Sequence, residues 1–538
     1  MTRLLALLTV SISTFAGDAA AVSGVVQWGG EVRFALRSDP KTFDPLLCAD
    51  QSSELLARLQ HGRLLRVNRK TRKYEGDLAE SWKILEQGRK IVLQLRKDLK
   101  FSDGSPFTAN DVVYTMRRVM DPSINSPKAG ALRPEQGKVI VEALASDRVA
   151  VTFPVIVPSI EAEVGDLPML SAKGDVKLGM GPFVLREYTA ASHLKLVRNP
   201  NYWRTLSGRR LPQLDSLRID IVANAEMELE RFRRGEIQLM ESIDPVSYDR
   251  LRKEMPRSVL DAGPSSDIEF LWFNQNPASP LPPHKLAWFQ SKNFRRAVSA
   301  AIRRDDINRL VFQGRATSSA GLMTPDNKAW FKAGLKPHAF DLAEAKKLLR
   351  QDGFRFQSDT LVDRSDKPVE FSLITSANNK ARSRMASLLQ QDLKQIGIKI
   401  TIATFDMPSL IERIGRTQNY EVCLLGFVNA GADPMNFMNM LLSTGPQHMW
   451  NPAQKSPATR WEAEMDKAMH AQASTADFKK RHSAFERVQQ ILHDEAPVLF
   501  LSHRNALVAV APNLGNADPS VDFPRVLWNA ERLVWSAR

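Results

Sequence analysis

Two hydrophobic periods alternate along this chain, and together they limit its fold more than any other feature. Short runs of period two recur. Ile91, Leu93 and Leu95 share one face; Leu217, Ile219 and Ile221 stand opposite Arg218 and Asp220; Ile398, Ile400 and Ile402 stand opposite Lys399 and Thr401. Successive side chains of a strand point to opposite faces, so each run reads as a strand with one buried side. Between these runs lie stripes at helical spacing. Val112, Val113, Met116, Val119 and Met120 follow Thr108 and Asp111, which have the spacing of a capping box. Further helices are predicted near Ala297–Ile302, Asp341–Leu349, Met385–Ile396 and Phe478–Leu492. Strands alternating with helices, without a fixed repeat, give an α/β fold.

At 538 residues the chain exceeds what one core organises, roughly 250–300 residues, so it divides into two to four lobes. The apolar stretch Phe270-Leu271-Trp272-Phe273-Asn274 runs into a proline-rich segment and then a helix opening at Phe294. Pro497-Val498-Leu499-Phe500-Leu501 can carry the chain back. Residues 275–500 are therefore expected to form one lobe inserted into another, and two crossings make a hinge.

At the N-terminus, Arg3 precedes the apolar run Leu4–Ile12 and small residues through Ala19-Ala20-Ala21. This reads as a signal peptide over residues 1–21. The run is shorter than the ~20 residues of a bilayer span. No cysteine lies at its end to take a lipid, so a freely soluble, exported protein is expected. The two cysteines, Cys48 and Cys423, are too few for a disulfide scaffold and read as small buried apolar residues.

The formal charge of +14, from 74 Lys+Arg against 60 Asp+Glu, first suggests a polyanionic partner. The basic residues, however, come as dispersed doublets: Arg117-Arg118, Arg209-Arg210, Arg233-Arg234, Arg295-Arg296 and Arg303-Arg304. These read as solvated helix faces, and nucleic acid is not an expected partner. The nine histidines form no HExxH, and His482, His493 and His503 are scattered. Gly179-Met180-Gly181-Pro182 lacks the Lys-Ser/Thr of a phosphate loop, and GxSxG is absent. No catalytic residue, metal ligand or cofactor is predicted.

Several motifs in fixed order resemble the extracytoplasmic solute-binding proteins of ABC importers, family 5, the oligopeptide-, dipeptide- and nickel-binding type. They are Thr42-Phe43-Asp44-Pro45, Leu78-Ala79-Glu80-Ser81-Trp82, the long run Leu95 to Met116, Gly179 to Phe183, and Arg198-Asn199-Pro200-Asn201-Tyr202-Trp203. Gly235-Glu236-Ile237, Phe294-Arg295-Arg296-Ala297-Val298, and Ala345 to Leu349 with Gly353-Phe354 complete the series. The resemblance implies a type II periplasmic-binding-protein fold, two lobes joined by a two-crossing hinge plus an extra subdomain. Lobe I would comprise residues 22–75, 175–274 and 501–538, the subdomain 76–174, and lobe III 275–500.

It also implies a ligand cleft, a monomer, and ABC permease subunits as partner. In oligopeptide-binding members an aspartate after the strand corresponding to Val422–Val428 pairs with the peptide's amino group. Here Ala430 holds that position, and Leu424 stands where some peptide binders have arginine. Either Asp433 or Asp50 supplies the charge, or the ligand is no free-amino peptide but a sugar, an opine-like conjugate or a metal chelate. The residues expected to line ligand are Phe427, Asn274 and Trp272, with Asp50, Gln51, Val428, Asn429, Ala430 and Asp433. A bland role competes for two of them: Asp50 as a helix N-cap and Asp433 as a turn residue before Pro434.

Overall fold

The computed structural model describes residues 26–134 and 136–536, so the leader read at residues 1–21 lies outside the described residues. The period-two runs form strands Lys90–Leu95, Ser216–Ile221 and Lys399–Phe405. Ile91, Leu93, Leu217 and Ile219 are fully buried, each worth roughly 1.5–3 kcal/mol of transfer from water. Helix Ala109–Met120 starts at the capping box, with the Asp111 carboxylate accepting from the Thr108 amide at 2.8 Å. The other stripes form Lys292–Ala300, Leu342–Gln351, Lys380–Lys394 and Phe478–Glu495.

Among the described residues, eleven strands join in one sheet that runs through both lobes. In lobe I, Glu31–Leu36 lies parallel to Ser216–Ile221 and to Leu239–Met240. In lobe III, Glu370–Ser376 lies parallel to Lys399–Phe405 and Val422–Phe427. Two long antiparallel strands, Val259–Phe273 and Val498–Val510, connect these halves. Ile268 to Phe273 pairs with Val422–Phe427 in lobe III, while Ala509 pairs with Met240 in lobe I.

The chain thus changes lobe inside these strands. The passage lies around Pro264 to Ile268 and His503 to Asn505, where the register shifts. The sequence boundaries at 274 and 500 followed the apolar stretches, whose pattern Gly263, Pro264, Ser265 and Ser266 interrupt without ending the strand. Side chains alternate across the lobe III part of the sheet. Leu271 and Phe273 enter one core, and Phe270 and Trp272 the core on the opposite face. Lobe I has its own core around Val32, Phe34 and Leu217. A four-stranded sheet, Ala79–Leu85, Lys90–Leu95, Arg148–Thr152 and Ile140–Ala145, packs with helix Ala109–Met120 around a further core.

Two of the basic doublets depart from the solvated reading. Arg295 is 1% exposed and donates to the carbonyls of Phe289, Gln290 and Glu495 at 2.8–2.9 Å. Arg304, also buried, donates to Phe500 and Ser299 carbonyls. Both satisfy carbonyls of helix ends and of strand Val498–Val510 inside lobe III, because a guanidinium's five donors can serve several carbonyls at once. Cys48 and Cys423 are buried and unpaired with each other.

Candidate functional site

Lobe I, lobe III and the crossing strand enclose a cavity of about 550 Å³. Its lobe I wall begins with helix Gln51–Gln60, which Asp50 caps through the Ser53 amide and hydroxyl. The last turn and the residues beyond it deliver Arg58, His61 and Arg63 to the wall. The Gly179-Met180-Gly181-Pro182 motif abuts this helix end. A Cβ on Gly179 would lie 1.9 Å from the Gln60 carbonyl oxygen, and one on Gly181 2.5 Å from that of Leu59. The glycines therefore serve close backbone approach, and the Gly181 amide donates to the Gln60 carbonyl at 2.8 Å.

Hairpin strands Leu65–Val67 and Tyr74–Gly76 carry Arg66, Arg69, Arg72 and Tyr74 to the same wall. The Arg198-to-Trp203 motif supports them from behind. The guanidiniums of Arg96 and Arg204 lie over the Trp203 ring, 4.4 and 4.7 Å from its centre. Arg204 in turn holds the wall carboxylate of Asp77 at 2.9 Å. Lobe III contributes Asn327, Trp330 and the turn holding Asn429, Asp433 and Asn436, and Ser266 of the crossing strand completes the enclosure.

The wall's carboxylates are all neutralised by arginine. Asp166 pairs with Arg58 and Arg63 at 3.1 and 3.0 Å, Asp433 with Arg481 at 2.6 Å, and Glu531 with Arg66 at 3.2 Å. Asp522 lies 3.8 Å from Arg69. Burial acts to raise the Asp166 carboxyl, but Arg58 and Arg63 overcome it and hold the group down at about 2. Burial pushes the other way on His61, and with Arg63 nearby its imidazole falls to about 4, so it is neutral at pH 7. Among the described residues of the wall, each carboxylate has an arginine beside it, so none stands free for proton transfer.

The residues expected from sequence divide clearly. Asn429 and Asp433 line the cavity. Asn274 is fully buried, its amide donating to the carbonyls of Gln418 and Tyr420, and Trp272 is buried with its indole donating to the Tyr420 hydroxyl at 2.9 Å. Neither lines the cavity, because Trp272 lies in the last part of the strand, sandwiched inside lobe III, and Asn274 directly follows its end. Phe427 packs edge-on against Phe270, and Ala430 rests against the same core. Val428 is 58% exposed and lies off the cavity wall, as do Asp50 and Gln51. Leu424 is buried in the other lobe III core.

What sequence reading missed is the arginine wall. Its signal was present as Arg66, Arg69, Lys70, Arg72 and Lys73, five basic residues within eight positions, ending at Tyr74. A search confined to doublets passes over it.

A cavity walled by two lobes that are joined, among the described residues, by two crossing strands is the architecture of a solute-binding protein. The model of the bacterial extracellular solute-binding proteins, family 5, middle region, matches residues 73–449, and the chain belongs to this family. It is a solute-binding component of the ABC importer type. A probable ABC transporter-binding protein of Deinococcus radiodurans is 27% identical over 76% of this chain and 75% of its own length. The dipeptide-binding protein of Escherichia coli is 24% identical, covering 87% and 88% respectively. The crystal structure of NikA from Brucella suis, in complex with Fe(III)-EDTA, superposes with a TM-score of 0.80 at 20% identity, covering 94% of this chain and 99% of that one.

Proposed function

We propose that this chain is the periplasmic component of an importer for short peptides. It is exported by its leader, works as a soluble monomer, and delivers its ligand unchanged to permease subunits in the inner membrane. The observation that carries this reading is the cavity itself. Its walls come from both lobes, so a ligand touches both only when they are closed, and its contacts shift the open–closed equilibrium toward the closed form. At about 550 Å³ it falls within the roughly 300–1,000 Å³ range of small-molecule sites. The dipeptide-binding name of the Escherichia coli relative supports a peptide as cargo.

Asn429 and Asp433 are the ligand-facing residues of lobe III in this reading. A second reading, a solute without a free amine, is favoured by one observation: Asp433 is committed to Arg481, whose side chain is only 6% exposed. An exported hydrolase is disfavoured by the absence of a free acid and base pair on the wall. Thermal shifts with di- to pentapeptides, sugars and nickel chelates test the proposal. No shift with any peptide alongside a clear shift with another class would reject it, and hydrolysis of a bound peptide would reject binding without chemistry.

A further inference from the structure

The cavity wall carries five arginines, and their pairing is uneven. Arg58, Arg63, Arg66 and Arg69 each face at least one carboxylate. Among the described residues, no carboxylate lies within 4 Å of Arg72. The backbone holds it in place: the Arg72 amide donates to the Asn68 carbonyl at 2.7 Å, and the Asn68 side chain accepts from the amides of Lys70 and Thr71 at 3.0 and 3.1 Å. Lys70 pins the hairpin to Asp518 at 2.7 Å. The turn therefore fixes the backbone of Arg72 beside the wall, at a φ of 56°. A pre-set backbone lowers part of the ordering cost of binding.

We propose that Arg72 reads an anionic group of the ligand, a carboxylate, and that the cleft makes no matching demand for a free amine. This rests on the peptide reading above and sharpens it to peptides or acylated peptides with a free C-terminal carboxylate. A guanidinium without a partner gains a charge-assisted, two-pronged contact from a carboxylate. A ligand ammonium would meet only wall carboxylates that already pair with arginine. At Asp433 the Arg481 guanidinium, 2.6 Å from one carboxylate oxygen, repels a second cation and offsets that carboxylate's attraction.

The test compares trialanine, N-acetyl-trialanine and trialanine amide by calorimetry on the full chain and on Arg72→Gln. Acetylation is expected to leave affinity within about threefold, and amidation to weaken it by about tenfold or more. Arg72→Gln should bring acid and amide to the same affinity, with an unchanged ligand-free melting temperature showing that it folds. Loss of binding on acetylation with tolerance of amidation overturns the proposal, as does an acid-to-amide ratio that Arg72→Gln leaves intact. If none of the three peptides binds, the peptide reading fails. The carboxylate demand is then measured with tricarballylate against its trimethyl ester on both proteins. A response to tricarballylate that Arg72→Gln abolishes supports it; equal responses, or none, overturn it.

Discussion

The Asp267 carboxylate accepts the Asn429 backbone amide at 2.9 Å, fastening the cleft-facing turn of lobe III to a strand that crosses between the lobes. Its second oxygen takes the guanidinium of Arg525 at 2.9 Å, from the C-terminal segment of lobe I. One buried side chain therefore touches both walls of the cleft where they meet.

Asp267→Ala should uncouple them. It leaves Arg525, 7% exposed, without its carboxylate, and breaking such a buried pair costs about 3–5 kcal/mol. We expect a lower melting temperature and a fall in ligand affinity of about tenfold or more, since 1.4 kcal/mol is a factor of ten. Asp267→Asn, which keeps an acceptor for Asn429, should lose less. Calorimetric titration of both variants decides: an affinity equal to wild type would mean that this link plays no part in closure.

The subdomain meets lobe III at Gly88 and Ala476, where a Cβ on Gly88 would lie 2.9 Å from that of Ala476. Ala476 is exposed apart from this approach, so Ala476→Trp should leave the fold intact and obstruct only the closed form. Expected are an unchanged ligand-free melting temperature and binding weaker by about tenfold or more. Small-angle scattering should show less compaction on ligand addition than in wild type.

Two buried histidines, His61 and His503, and the half-buried His338 make the protein acid-labile before most carboxylates titrate. Burial lowers His61 and His503 to about 4, and burial together with His493 lowers His338 to about 3. In the unfolded chain these groups titrate near 6.5. Below that pH the unfolded state binds more protons, so stability is full above pH 6.5 and falls as pH drops toward 4. Melting temperatures at constant ionic strength should be level from pH 8 to 7 and decline from 6.5 to 4.5. His503→Gln should flatten part of that decline; an identical slope in the variant would refute this origin.

Arg295 stabilises lobe III through carbonyls, without a carboxylate partner. Arg295→Met fills similar space and leaves three buried carbonyls short of a donor, each costing about 1–3 kcal/mol. Urea unfolding should show a loss of about 3 kcal/mol or more. A loss below about 1 kcal/mol would mean that water takes over those carbonyls.

Much of the fold was legible because it rests on local rules. Period-two runs at Ile91, Leu217 and Ile400 became half-buried strands, and Thr108 with Asp111 closed the capping box as their spacing required. Asp50 and Asp433 took up the cap and turn roles that their neighbours Ser53 and Pro434 favour. Less legible was the strand Val259–Phe273, which continues through Gly263 and Pro264 because Val498–Val510 pairs with it on both sides of that interruption.

The cleft was less legible. Trp272 and Asn274 stand beside the crossing in sequence, yet strand alternation and sheet pairing turn them into the interior of lobe III. Arg72 stands in a basic stretch like others in the chain; only tertiary structure decided that its neighbours would be paired off and it would not. Sequence by itself determined the α/β class, the strands and helices and the family motifs, because those depend on residues a few positions apart. Which charges face the ligand depends on partners hundreds of positions away, such as Glu531 on Arg66 and Asp522 on Arg69. No local pattern encodes a pairing over that separation, so the folded chain alone fixes what the cleft asks of its ligand.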